Sequence, residues 1–373
     1  MKTLNLTIPT LLGTESIVAN EVKKLGYETS SVTDGRVNFV GDFEAVCLAN
    51  INLRCAERIM IHLADFTAKS FEELFVKIGQ IPWEDYIGKD DAFPVSGHSL
   101  RSQLHSVPDC QAIIKKSVVK RLSAVYKIDY FEETQALFPI HFAIMKDVVS
   151  VYIDTSGANL YKRGYREKSV LAPMRETLAY AMIDVSFWRG DRPFCDPFCG
   201  SGTLPIEAAL YATNTAPGLK RKFVAETWLN LIDKGMWKDA REEAKENIDR
   251  SKETIIFASD IDKNAVEIAK ANAKRAGVED KIRFSVCDFR DAMTFSEKGV
   301  IVCNPPYGER LLDIKQCCGI YKGMGKKFAA YGQAKKFILT SFEDFEKYFG
   351  KNADKKRKVY NGMLKCNIYQ YFK

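Results

Sequence analysis

The sequence is poor in several things that would assign a function quickly. No apolar run approaches about 18 residues, so no membrane-spanning helix is expected. The opening Met1-Lys2-Thr3-Leu4-Asn5-Leu6 lacks the long apolar core of a secretory leader, which points to a cytoplasmic protein. Ten cysteines are present, but none forms a C-x-x-C pair, so they read as reduced and mostly buried. Only four histidines occur (His62, His98, His105, His141), without metal spacing, and no metal is expected. No Gly-Lys-Ser/Thr follows a glycine loop, which excludes a Walker A site. There is no low-complexity tract and no internal repeat.

What is present suits a globular chain of two or three domains: 373 residues, 46% hydrophobic, 28% charged, net charge +7. Leu4, Leu6 and Ile8 alternate as in a half-buried strand, and 13–25 has helical spacing ending at Gly26. A hairpin at 32–40 turns on Asp34-Gly35; 43–50 reads as helix and 59–66 as strand. This is a small α+β unit. A second unit begins near Ser70, with helices at 71–81 and from Pro108-Asp109, a strand at 93–98, a basic turn at 99–104 and a hairpin over 136–154. Over 101–130 six cations (Arg101, Lys115, Lys116, Lys120, Arg121, Lys127) face two acids. That excess is either a solvated helix face or a phosphate-tracking surface. The run Tyr161-Lys162-Arg163-Gly164-Tyr165-Arg166 mixes cations with rings, as suits RNA backbone and stacked bases, or else pins two domains together.

The second half alternates helices and apolar strands: a helix over 170–187, a strand ending at Asp196, then strands at 254–260, 282–286, 300–303 and 335–340, and a closing hairpin at 357–372. This pattern predicts a parallel, doubly wound α/β sheet. After the first strand comes Asp196-Pro197-Phe198-Cys199-Gly200-Ser201-Gly202-Thr203, whose glycines allow a ligand against bare backbone before a helix N-terminus. The next three strands end in Asp260, Asp288 and Asn304. Ligands of such sheets lie outside the strands' carboxyl ends, so these side chains are expected in one crevice. Asp260 suits the hydroxyls of a ribose, and Asp288 suits an exocyclic amino group. In Asn304-Pro305-Pro306-Tyr307 the prolines fix φ and remove donors. The Asn304 side-chain carbonyl and the Pro305 carbonyl can then accept from one –NH₂ group, while Tyr307 offers a π face to a flipped base.

This motif set resembles that of class I S-adenosyl-L-methionine-dependent methyltransferases acting on amino groups. The front half resembles a ferredoxin-like domain followed by a THUMP domain, through 96–104, the Cys110 helix and 154–166. Together they resemble the bacterial RlmL/YcbY-type methyltransferases, which modify guanine N2 in 23S ribosomal RNA. The resemblance implies a ferredoxin-like domain at 1–66, a THUMP domain at 67–165 and a methyltransferase domain at 166–373. The last is expected as a Rossmann-like seven-stranded sheet with a terminal antiparallel hairpin. The resemblance implies S-adenosyl-L-methionine bound by Asp196, Phe198, Gly200, Gly202, Thr203, Asp260 and Asp288, with Glu176 and Thr177 near its methionine end. It implies catalysis by Asn304, Pro305, Pro306 and Tyr307. RNA contacts are expected from Arg101, Lys115, Lys116, Lys120, Lys162, Arg163 and Arg166. Transfer RNA, DNA adenine and a non-catalytic assembly role are the alternatives.

Overall fold

The computed structural model describes residues 2–167, 174–292, 298–307 and 313–372. The front half runs β1 (Leu4–Pro9), α1 (Glu15–Lys24), β2 (Thr29–Thr33), β3 (Arg36–Gly41), α2 (Phe43–Asn52), β4 (Met60–Thr67), α3 (Phe71–Gly79), β5 (Val95–Leu100), α4 (Val107–Tyr126), β6 (Ile140–Met145) and β7 (Val148–Asp154). The second half runs α5 (Glu176–Val185), β8 (Phe194–Asp196), α6 (Thr203–Ala212), α7 (Lys234–Glu246), β9 (Ile256–Asp260), α8 (Lys263–Ala276), β10 (Ile282–Val286), β11 (Val300–Cys303), α9 (Ile314–Ala329), β12 (Lys335–Thr340), α10 (Phe345–Phe349), β13 (Lys355–Asn361) and β14 (Leu364–Tyr371).

The catalytic-half sheet has the order β10-β9-β8-β11-β12-β14-β13. Its strands are parallel until β14, which enters antiparallel between β12 and β13. The seven strands and closing hairpin agree with the sequence expectation. The order reverses between β8 and β11, so the loops leaving these strands splay to opposite faces and open a crevice at the carboxyl edge. Helices reach this edge through local capping. The Asp262 carboxylate accepts from Asn264 N, and Gly277 ends α8 at φ 79°. Helix α9 starts with a reciprocal Asp313–Gln316 cap. The sequence reading did not identify α9 or α10. The charged helix α7 begins at Lys234 because the Asp233 side chain caps it, accepting from Gly235 N. Of the helix expected over 170–187, positions 170–173, which include Leu171 and Pro173, lie outside the described residues.

The two units of the front half are joined edge to edge. Their strands form one sheet, β2-β3-β1-β4-β7-β6-β5. Strand β4 pairs with β1 through Leu6↔Ile61 and Thr7↔Met60, and with β7 along its length. Such joining depends on residues far apart in sequence, which local patterns do not reveal. Ser99 and Leu100, expected in a turn, belong to β5. One large apolar cluster runs from Leu4 in the front sheet to Ile368 in the catalytic sheet, so the two halves share a core. No described helix is long and apolar enough to cross a membrane.

Candidate active site

Strand β8 delivers Asp196 into the interior, where its Oδ1 accepts from Phe198 N at 3.1 Å. Burial, with Asp260 nearby, pushes this carboxyl well above the usual range. Asp196 therefore shapes the turn that begins the glycine loop. Gly200 and Gly202 take φ of 50° and 86°, which a side chain rarely adopts. A Cβ on Gly202 would stand 2.9 Å from the Ala269 Cβ, so glycine here also lets α8 approach the loop. Asn272 of α8 donates to Ser201 O at 3.0 Å, and Cys199 N donates to Ser259 O at 2.9 Å.

Asp260, at the tip of β9, accepts from Gly200 N at 2.9 Å through Oδ2 and from Asp262 N at 3.0 Å through Oδ1. A carboxylate has about four acceptor positions, so lone pairs remain for a diol. Asp288 follows β10 and grips Arg290 through both oxygens, at 2.8 and 2.6 Å. That pair holds the Asp288 carboxyl below its ordinary value. Arg290 is largely exposed. Phe198 and Phe289 stack at 5.0 Å between the glycine loop and the Asp288 loop.

Asn304 caps the buried strand β11. Its Oδ1 is shielded from solvent and has no hydrogen-bond partner among the described residues. A buried acceptor left unpaired costs about 1–3 kcal/mol, so this oxygen is suited to a ligand's N–H. The motif after it is fixed from two sides. Tyr321 OH of α9 donates to Pro306 O at 2.8 Å, and Asn361 Nδ2, at the end of β13, donates to Tyr307 OH at 3.3 Å. Gly308, the motif's next residue, lies outside the described residues.

Residues 163–370 match the family described as RMKL-like, methyltransferase domain. The chain belongs to this methyltransferase family. Residues 5–60 match the RlmL ferredoxin-like domain, and 68–154 the THUMP domain. A Bacillus subtilis relative named "Putative RNA methyltransferase YpsC" is 46% identical over 100% of this chain and 97% of its own length. The Ribosomal RNA large subunit methyltransferase K/L of Psychromonas ingrahamii is 32% identical over 99% of this chain but 50% of its own, so this chain spans half of that relative. The crystal structure of SMU.472, complexed with SAH, superposes with a TM-score of 0.95 at 41% identity, covering 100% of this chain and 98% of that one.

In this methyltransferase the start of α5 adjoins the glycine loop through Arg166. Its Nη2 donates to Thr203 Oγ1 at 2.8 Å and to Met174 O at 2.9 Å, and lies 3.1 Å from Glu176 Oε1. The other Glu176 oxygen is buried without a hydrogen-bond partner among the described residues. Burial pushes the Glu176 carboxyl up to about 7. Thr177 Oγ1 donates to Glu57 Oε1 at 2.6 Å, and Arg175 Nη1 lies 2.9 Å from Glu57 Oε2. The front half thus grips the start of α5.

Three cations of the methyltransferase expected on RNA stand elsewhere. Arg163 is 5% exposed, donates to the carbonyls of Leu160 and Arg54, and lies 3.6 Å from the buried Glu207. Arg166 braces the glycine loop. Lys115 pairs with Glu133, donates to Phe93 O at 3.2 Å and sits 3.5 Å over the Phe93 ring. Arg163 and Arg166 are corrected to internal contacts, and Lys115 is paired with Glu133 at a half-exposed position, because a local excess of charge does not show which cations the fold pairs. Arg101, Lys116, Lys120 and Lys162 are exposed. Sequence reasoning missed Glu57, Asn272, Tyr321 and Asn361, whose roles arise only from distant contacts.

Proposed function

We propose that this chain is an RNA methyltransferase that transfers a methyl group to the exocyclic N2 amine of a guanine, in 23S ribosomal RNA. The cofactor is S-adenosyl-L-methionine. The residues present fit it: Asp260 keeps lone pairs for a ribose, and the partnerless Glu176 oxygen suits an ammonium. When bound, the donor supplies a methyl group on a cationic sulfur. Asn304, Asp260 and the glycine loop would hold the two substrates within one crevice, where positioning lowers the barrier. Asn304 Oδ1 and the Pro305 carbonyl accept the two amine hydrogens and orient the nitrogen lone pair. Tyr307 holds the flipped base by its ring.

The observation that carries this reading is the Asn304 Oδ1 at a strand tip, shielded and without a hydrogen-bond partner among the described residues, followed by two prolines and a tyrosine. The RNA substrate is supported by the names of the relatives and by the THUMP match, and the 23S assignment by the K/L relative. Tritiated donor incubated separately with 23S rRNA, tRNA and DNA tests the substrate, followed by mapping of the methylated nucleotide. Label on a guanine N2 of 23S rRNA is expected. Label on tRNA or on adenine N6 instead would replace this assignment. Asn304→Ala is expected to bind donor as the wild type does and to lose most turnover; undiminished turnover would overturn Asn304's role.

A further inference from the structure

Three of the four histidines, unrelated by sequence spacing, meet on one surface of the front sheet. Directly opposed residues form rows across its strands. One row is Ser96, His141, Tyr152 and His62; the next is His98, Ala143, Ser150 and Asp65; a third is Leu100, Met145, Val148 and Thr67. The alternate residues, such as Phe142, Ile144, Val151 and Ile153, enter the main core with the helices. Met60, Ala143 and Tyr152 form a small cluster of their own on the opposite face.

An antiparallel face left to solvent ordinarily carries polar side chains. Here Leu100, Met145 and Val148 are 53%, 46% and 43% exposed. His62 lies 5.2 Å from Tyr152, and His98 lies 6.0 Å from His141. Arg36 Nη1 donates to Tyr152 OH at 2.9 Å with its guanidinium over the ring, and makes no ion pair among the described residues. Of the acids on this face, Asp154 is paired with Arg58, and Asp65 Oδ1 lies 3.0 Å from His62 Nε2. No group of three metal-binding side chains is assembled among the described residues. Burial pushes His141 down to about 4 and also lowers His98, with Arg36 contributing to both. Both shifts favour the neutral rings.

We propose that this face binds single-stranded RNA, with bases stacked on His98 and His141 beside the Arg36–Tyr152 pair and the aliphatic row carrying a further base. The inference rests on the reading of the chain as an RNA methyltransferase. Flat neutral rings suit base faces of any sequence. Among the described residues of this face, Arg36 is the cation not committed to an acid, and it complements a phosphate.

The test is fluorescence anisotropy of a fluorescein-labelled oligouridylate with the full chain, without donor, over a range of salt. His98→Ala/His141→Ala is expected to weaken binding on the order of tenfold with the salt slope unchanged, since neutral stacking releases no counterions. His98→Phe/His141→Phe is expected to retain binding. Thermal melts matching the wild type establish that each variant is folded. Undiminished binding by the alanine variant, or failure of a folded phenylalanine variant to bind, overturns the proposal. So does a dimer in sedimentation that the alanine pair dissolves, which assigns the face to a second copy. Oligouridylate binding needs neither donor nor methyl transfer, so its failure is distinct from failure of Asn304-dependent methylation.

Discussion

Arg166 donates to the hydroxyl of Thr203 at 2.8 Å, so a residue of the segment between the front sheet and α5 holds the first residue of the glycine-loop helix. The same guanidinium neutralises the buried Glu176. Beyond Glu176, the flanking Arg175 and Thr177 are held by Glu57. Donor loop and front half are therefore mechanically joined.

Arg166→Ala leaves Glu176 buried without its cation, and breaking such a pair from one side costs roughly 3–5 kcal/mol. Urea melts are expected to show that loss. Calorimetric titration with donor is expected to show affinity reduced about tenfold, on the scale of one charge-assisted hydrogen bond. Donor affinity equal to the wild type would remove Arg166 from the donor site.

The stability carried by Glu21 is expected to fall as pH rises from 5 to 8, opposed below about pH 6.5 by the lowered His141, whose contribution rises with pH. Burial raises the Glu21 carboxyl from 4.5 to about 7, against the opposing backbone donors Arg54 N and Cys55 N. A folded value above the unfolded one means the contribution is fully present below pH 4.5 and is lost as pH passes 7. The size is about 3 kcal/mol from this group. Glu176 adds a slope of the same sign. Urea melts at pH 5, 6, 7 and 8 should show a shallower decline in Glu21→Gln. An unchanged decline would place the pH dependence elsewhere.

Lys115 and its neighbours should separate in RNA binding. Each phosphate contact contributes about 0.7–0.9 to the slope of log affinity against log salt. Lys116→Ala/Lys120→Ala is expected to lower that slope by up to twice this amount in filter binding. Lys115→Ala is expected to leave it unchanged and to lower the melting temperature, because its partners are Glu133 and Phe93. Equal slopes in both variants would contradict the division.

Tyr307 is expected to act through its ring. Tyr307→Phe removes the bond from Asn361 and should keep most turnover, while Tyr307→Ala should lose roughly the 1–3 kcal/mol that base–aromatic stacking is worth. Asn361→Ala should raise KM for RNA more than it lowers kcat. Steady-state and single-turnover assays on unmethylated RNA separate these outcomes.

Local patterns carried much of this protein. The strand ending at Asp196, the positive-φ glycines, the acid-tipped strands and the Asn304–Tyr307 motif all rest on short-range rules of φ, periodicity and turn chemistry. The parallel sheet and its closing hairpin followed from the same rules. The tertiary structure alone decided which charges are paired. Arg163, Arg166 and Lys115 have the same sequence character as Lys116, yet carboxylates elsewhere in the chain pair all three and burial took Arg163 from solvent. It also joined two front units into one sheet and gathered His62, His98 and His141, because cross-strand register links residues that no local spacing relates. Asn304 shows the division within a single residue: its chemistry was legible in the motif, but its partnerless oxygen depends on the walls around it.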